Sequence, residues 1–168
     1  VLTSIEVAFL LKNALAARGL ECFAKVSGSK GLQVYAPLNT AVTYAESQPF
    51  ARLLAEELER EHPKTIVSGM SKAARANKVF IDWSQNSDFK TTVAVYSLRA
   101  KHDRPYVSMP FTWTELRRAV RTHDPAMLLL DPAAALERLK KVGDLFRPVL
   151  ELRQNLEAPK RSRRSVSA

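Results

Sequence analysis

Val26-Ser27-Gly28-Ser29-Lys30-Gly31 is a small, basic, glycine-bearing loop between two runs that read as strands, Glu21 to Val26 and Leu32 to Pro37. Its two glycines free the backbone for positive φ and let amide N–H groups converge on one point, while Ser27, Ser29 and Lys30 add two hydroxyls and a charge. Such chemistry suits a phosphate. The same residues also suit an ordinary hairpin turn, and the Walker spacing of glycine, four residues, then Gly-Lys-Ser/Thr is absent. On its residues alone the loop leaves both readings open.

Upstream of the loop, Thr3 and Glu6 stand at capping-box spacing, and Ile5, Ala8, Phe9, Leu15 and Ala16 recur at helical intervals until Gly19, a suitable residue to end a helix. A helix followed by a hairpin with the loop at its tip is expected. Downstream, Ser47 and Pro49 open a second helix whose apolar stripe is Phe50, Leu53, Leu54 and Leu58, with Glu56, Glu57, Glu59, Arg60 and Glu61 toward water. From His62 to Lys78 no carboxylate occurs, while Lys64, Lys72, Arg75 and Lys78 do. Such a stretch is either a basic rim for a polyanion or a solvated loop.

Lys78 to Trp83 reads as a strand with one carboxylate, Asp82, in an apolar run. An unpaired buried carboxylate is costly, so Asp82 calls for a cation, a hydrogen-bond network or a strand end open to water. Thr92 to Leu98 alternates like a further strand ending at Arg99. A second capping box, Thr112 with Glu115, opens a helix to about Arg121. Asp131-Pro132 opens another, with Leu136 and Leu139 on its core face and Gly143 ending it. Past Leu156 nothing argues for order.

The 168 residues, 46% hydrophobic and 26% charged, fit one globular domain with a real core. No apolar run approaches the length of a membrane span and no leader pattern is visible, so the expectation is a cytosolic protein with no membrane partner. The excess of 26 Lys+Arg over 17 Asp+Glu, a net charge of +9, favours polyanionic partners. Part of it is a tail: Lys160, Arg161, Arg163 and Arg164 lie among the final serines. Cys22 has no second cysteine and reads as a buried inert thiol, and His62, His102 and His123 read as surface residues. Cys/His metal clusters, Rossmann glycines and heptads are absent. Because the first residue is Val1 rather than Met, the chain is expected to be a piece of something longer.

Five motifs occur in one order: Lys25-Val26-Ser27-Gly28-Ser29-Lys30-Gly31-Leu32-Gln33-Val34 with Pro37-Leu38, then Arg75-Ala76-Asn77-Lys78-Val79-Phe80-Ile81-Asp82, then Tyr96-Ser97-Leu98-Arg99-Ala100, then Val107-Ser108-Met109-Pro110, then Trp113-Thr114-Glu115-Leu116. Together they resemble the polymerase domain of bacterial DNA ligase D and its stand-alone primase-polymerase relatives, within the archaeo-eukaryotic primase superfamily. The resemblance covers about residues 3 to 120. It implies an α+β fold, an antiparallel or mixed sheet backed by helices, here the C-terminal portion of a primase-type catalytic domain over residues 1–156, followed by a basic tail, residues 157–168.

The activity that the resemblance implies is template-directed nucleotidyl transfer to DNA ends or gaps in non-homologous end joining, favouring ribonucleotides and using Mn²⁺ or Mg²⁺. Nucleoside triphosphates, DNA ends or gapped duplex, Ku and a DNA ligase are the implied partners, in the bacterial cytosol. Ser27, Gly28, Lys30 and Gly31 match the family's triphosphate loop, and Gln33 stands where ligase D polymerases usually have His. Arg75 and Arg99 match basic residues of the nucleotide shell, a role that suits charge stabilisation on a phosphoryl group. Asp82 matches the third metal-binding, catalytic carboxylate, and Gln85 stands where Arg is frequent. Lys64, Lys72 and Lys78 are the candidate DNA contacts. The family's first two carboxylates, an Asp-x-Asp pair, have no counterpart, so this segment alone is expected not to polymerise. The competing expectation is a non-catalytic nucleotide- or DNA-binding module, which is all that composition by itself supports.

Overall fold

The computed structural model describes residues 1–71, 73–101 and 103–156. Helix α1 (Leu2–Ala16) runs through the middle of the molecule and buries more than one face. Ile5 joins the cluster made with Ala24, Val26, Met109, Phe111 and Leu116; Val7 packs with Leu58 and Ile66; Leu15 packs with Leu20, Cys22 and Leu54. The exposed positions of α1, Thr3, Glu6, Asn13 and Ala16, fall on one side, and apolar residues cover most of the rest. The Thr3–Glu6 capping box does not form: the helix starts at Leu2, placing Thr3 inside it, and Val1 supplies no side-chain cap. Its other end behaves as expected, with Gly19 at φ +72° and Leu20 N–H donating to Leu15 O.

Strands β1 (Phe23–Val26) and β2 (Leu32–Tyr35) form the expected antiparallel hairpin, pairing Lys25 with Gln33 and Val26 with Leu32. Helix α2 (Tyr44–Glu61) begins earlier than the Ser47–Pro49 signal suggests, because Thr43 and Glu46 complete a capping box and Pro49 is accommodated within the early turns. The two-residue strands β3 (Ile66–Val67) and β4 (Val79–Phe80) pair in parallel. Strand β3 was not expected, since its two apolar residues lie in a stretch that reads as loop. β4 is much shorter than Lys78 to Trp83, because the chain turns into a 3₁₀ segment at Trp83–Gln85.

Likewise, Thr92 to Leu98 is not a strand. Tyr96 adopts φ +64°, which breaks the extended run, and only β5 (Leu98–Arg99) pairs, antiparallel to β6 (Tyr106–Val107). The chain continues into β7 (Pro110–Phe111), which lies against β1, giving the order β2-β1-β7. Helices α3 (Trp113–Arg121) and α4 (Pro132–Val142) start at the expected caps, Thr112 with Glu115 and Asp131. A short α5 (Pro148–Glu151), which carried no sequence signal, leads a strap back over the hairpin: Gln154 bonds the backbone of Glu21 and Pro37, and Asn39 donates to Val149 O and Leu152 O. The fold is thus α+β, with small antiparallel and parallel sheets backed by helices.

Candidate anion-binding site

At the tip of the β1–β2 hairpin, Ser27 N–H donates to Gly31 O (2.9 Å) and Gly31 N–H to Ser27 Oγ (3.1 Å), closing the loop on itself. Among the described residues, the N–H groups of Gly28, Ser29 and Lys30 make no hydrogen bond. Three successive unpaired amides, with the Ser27 hydroxyl proton still free, are the donors that an oxyanion requires. Gly28 sits at φ +70°, and a Cβ there would lie 3.0 Å from Arg99 Cγ and 3.0 Å from Tyr106 O. Only glycine lets the β5–β6 hairpin approach this closely, and that approach brings Arg99 to the loop.

The charges gathered here lack carboxylate partners. None of the ion pairs among the described residues includes Lys25, Lys30 or Arg99, and the Arg99 Nε is buried without a partner. Lys30 is exposed at the rim. Lys25, fully buried, donates from Nζ to Gln33 Oε1 (2.5 Å), Val93 O (2.8 Å) and Ser108 Oγ (2.8 Å). Burial, reinforced by the Arg99 charge, pushes its pKa down from 10.5 to about 8. A positive pocket assembled without a counter-charge is destabilising unless an anion completes it.

Asp82 corrects the picture of a carboxylate buried in a strand. It lies beyond the end of β4, exposed, with Ser84 Oγ donating to Oδ1 (2.6 Å) and Gln85 Nε2 to Oδ2 (3.0 Å). Gln85 Oε1 in turn accepts from Thr92 Oγ1 (3.4 Å), next to the Val93 carbonyl that Lys25 of β1 holds. Arg75 belongs to the β3–β4 side: its guanidinium stacks on Phe80 at 3.7 Å and donates to Met70 O, with its Nε buried and unpaired. Lys64 is exposed before β3, and Lys78 leads into β4 with Glu59 nearby. Lys72, His102 and the Lys160 to Arg164 cluster lie outside the described residues.

A two-metal centre needs several carboxylates converging on two ions. No group of three or more His, Cys, Asp or Glu side chains comes together among the described residues, and Asp82 alone does not fit such a centre. Two members of the site carried no assigned role in the sequence reading, Lys25 and Ser108. The signal was available for Lys25, a charge in the run Phe23-Ala24-Lys25-Val26, of the same kind that drew attention to Asp82.

Fold and site together define an α+β domain in which a glycine loop with three unpaired amides lies against Arg99 beside a buried Lys25, with no ion pair to either cation among the described residues. The chain belongs to the family described as LigD, primase-polymerase domain, whose profile matches residues 2–146. The multifunctional non-homologous end joining DNA repair protein LigD of Mycobacterium tuberculosis is 43% identical over 141 residues, covering 84% of this chain and 18% of that protein. The bifunctional LigD of Bacillus subtilis is 31% identical over 146 residues, 86% of this chain and 23% of that protein. The polymerase domain of M. tuberculosis ligase D, solved in complex with DNA, superposes with a TM-score of 0.80 at 40% identity, over 90% of this chain and 50% of that one. The chain therefore spans half of the solved domain and about a fifth of the curated relatives. Among the described residues no helix is long and apolar enough to cross a membrane.

Proposed function

We propose that this chain carries the nucleotide-holding part of a DNA-repair nucleotidyltransferase that adds nucleotides, ribonucleotides by preference, to DNA ends or gaps during bacterial non-homologous end joining. The observation that carries the reading is the Ser27–Gly31 loop, with three unpaired amides, packed against Arg99 and backed by a buried Lys25 that no carboxylate neutralises. Ser27, Gly28, Lys30, Gly31 and Gln33 would hold the triphosphate, and Arg99 and Arg75 would stabilise charge on it. Membership of the LigD primase-polymerase family supports the reaction class, and a DNA-bound relative supports a DNA partner. Residues 1–156 form the unit that binds; the basic residues 157–168, with Lys64, Lys72 and Lys78, add salt-sensitive phosphate contacts. Ku and a DNA ligase are the proposed partners, and the bacterial cytosol the proposed location.

Asp82 is proposed as one donor to the Mn²⁺ or Mg²⁺ of such an enzyme. A single carboxylate cannot hold that centre, so this segment alone is proposed to bind without catalysing addition. The test is primer extension on gapped duplex with Mn²⁺, comparing three proteins: the 168-residue chain, the same chain joined to the rest of a polymerase domain, and the joined protein with Asp82→Asn. Extension by the joined protein alone is expected, with the fold and most DNA binding kept in Asp82→Asn. Robust extension by the short chain or by Asp82→Asn would overturn the assignment.

A further inference from the structure

Lys25 sits on β1 with its side chain wholly removed from water, yet every acceptor it meets is neutral. An ammonium has three N–H donors, and here all three are used. The register puts Lys25 directly opposite Gln33, and the Tyr35 ring, two residues further on the same face, lies 5.8 Å from Nζ. Ser108 is fixed in turn, its hydroxyl donating to Val26 O (3.0 Å). The ammonium therefore cannot swing away.

This environment decides the orientation of the Gln33 amide. Lys25 offers only donors, so the Gln33 group facing it must be the oxygen; a flipped amide would set NH₂ against NH₃⁺. With Oε1 turned inward, Nε2 and its two protons point away from Lys25, and Nε2 has no partner among the described residues. Gln33 is one residue beyond Leu32, which pairs with Val26 at the root of the loop, and it remains partly accessible to solvent.

We propose that Lys25 is a positioning residue: its buried ammonium holds the Gln33 oxygen inward, so that the Gln33 NH₂ is presented as a donor to the phosphate chain gripped by the Ser27–Gly31 loop. The proposal rests on the nucleotide-binding reading and assigns specificity to a glutamine that carries no charge of its own.

The test combines stability, calorimetry with inorganic tripolyphosphate, and NMR of the Gln33 side-chain NH₂ on the full chain. Gln33→Glu places a carboxylate against the Lys25 ammonium, so it should raise the unfolding midpoint while lowering tripolyphosphate affinity at least about tenfold. A purely structural contact would move both together. Lys25→Met should shift the Gln33 NH₂ resonances, speed their exchange and lower affinity about tenfold, and that loss should shrink to within about twofold in a Gln33→Ala background. Unaltered Gln33 resonances in Lys25→Met, an equal loss with and without Gln33, or a Gln33→Glu protein that binds as well as the parent would each overturn the proposal. Should Lys25→Met not fold, the Gln33→Glu arm decides. If the parent itself fails to bind tripolyphosphate, the nucleotide reading is lost, and the resonances decide whether Lys25 orients Gln33.

Discussion

Replacing Gly28 by alanine should damage the loop and its ligand together. At φ +70° an alanine costs about 1–2 kcal/mol in backbone conformation alone. Its Cβ would also meet Tyr106 O at 3.0 Å, and Arg99 Cγ and Cβ at 3.0 and 3.1 Å. The arginine stem can give by a few tenths of an ångström, whereas the Tyr106 carbonyl belongs to paired strand β6 and cannot move without its ladder. Overpacking of this kind adds about 1–2 kcal/mol, so the total is roughly 2–4 kcal/mol. Gly19 supplies the control: it has φ +72° with nothing within 4 Å of the position an alanine methyl would take, so Gly19→Ala should cost only the backbone share. Urea unfolding of both variants, with calorimetric titration of ATP, separates the two contributions. Gly28→Ala should be the less stable and should lose ATP affinity about tenfold or more, because the loop or Arg99 must shift. Equal destabilisation by the two substitutions with ATP binding untouched would refute the claim that the β5–β6 hairpin is packed onto the loop.

The depressed pKa of Lys25 makes a signed statement about pH. With a folded value of about 8 against 10.5, the native state releases the proton first, the unfolded chain binds more protons between those values, and stability rises with pH across that window and is flat below it. Measured as parent minus Lys25→Met by urea unfolding, the gain should be about 2–3 kcal/mol from pH 8 to 10.5; the subtraction removes the opposite drift from Cys22, whose burial raises its thiol to about 11. No pH dependence of that difference would show that Lys25 is solvated. Glu115 closes the α3 capping box and takes both terminal nitrogens of Arg138 at 2.6 and 2.7 Å; burial would raise its carboxyl, but the Arg138 and Thr112 bonds outweigh that and hold it below 4.5. Glu115→Ala should therefore cost about 2–4 kcal/mol at pH 7 by thermal or urea unfolding, with the gap to the parent narrowing as pH falls through the folded value.

Local rules placed several element ends. Thr112 with Glu115, Asp131-Pro132, and Gly19 each act on a neighbour a few residues away, and each element end was legible from those residues. The β1–β2 hairpin was legible because its two runs flank their own turn. Two failures were local, since Thr3 with Glu6 has box spacing but lies inside α1, and Thr43 with Glu46 starts α2 ahead of Ser47 and Pro49; the others came from partners distant in sequence. Ile66–Val67 becomes a strand only because Val79–Phe80 lies beside it, and Thr92 to Leu98 loses its extended form because Lys25 takes the Val93 carbonyl and Tyr96 turns over Ser108. The burial of Lys25 required knowing that Ser108 and Val93 would arrive from residues far downstream. Asp82 stands out in the sequence for its setting in an apolar run, but the strand ends two residues before it, and water together with Ser84 and Gln85 satisfies the carboxylate.

The central claim is that the hairpin loop holds a triphosphate, and the most direct measurement is calorimetric titration of ATP into the folded 168-residue chain and its Lys30→Ala variant. Lys30 is exposed and makes no ion pair among the described residues, so the substitution should leave the unfolding midpoint unchanged. Saturable binding by the parent, weakened by about 1.5–3 kcal/mol in Lys30→Ala, is the result the account predicts. Equal affinity of the two proteins for ATP would contradict it.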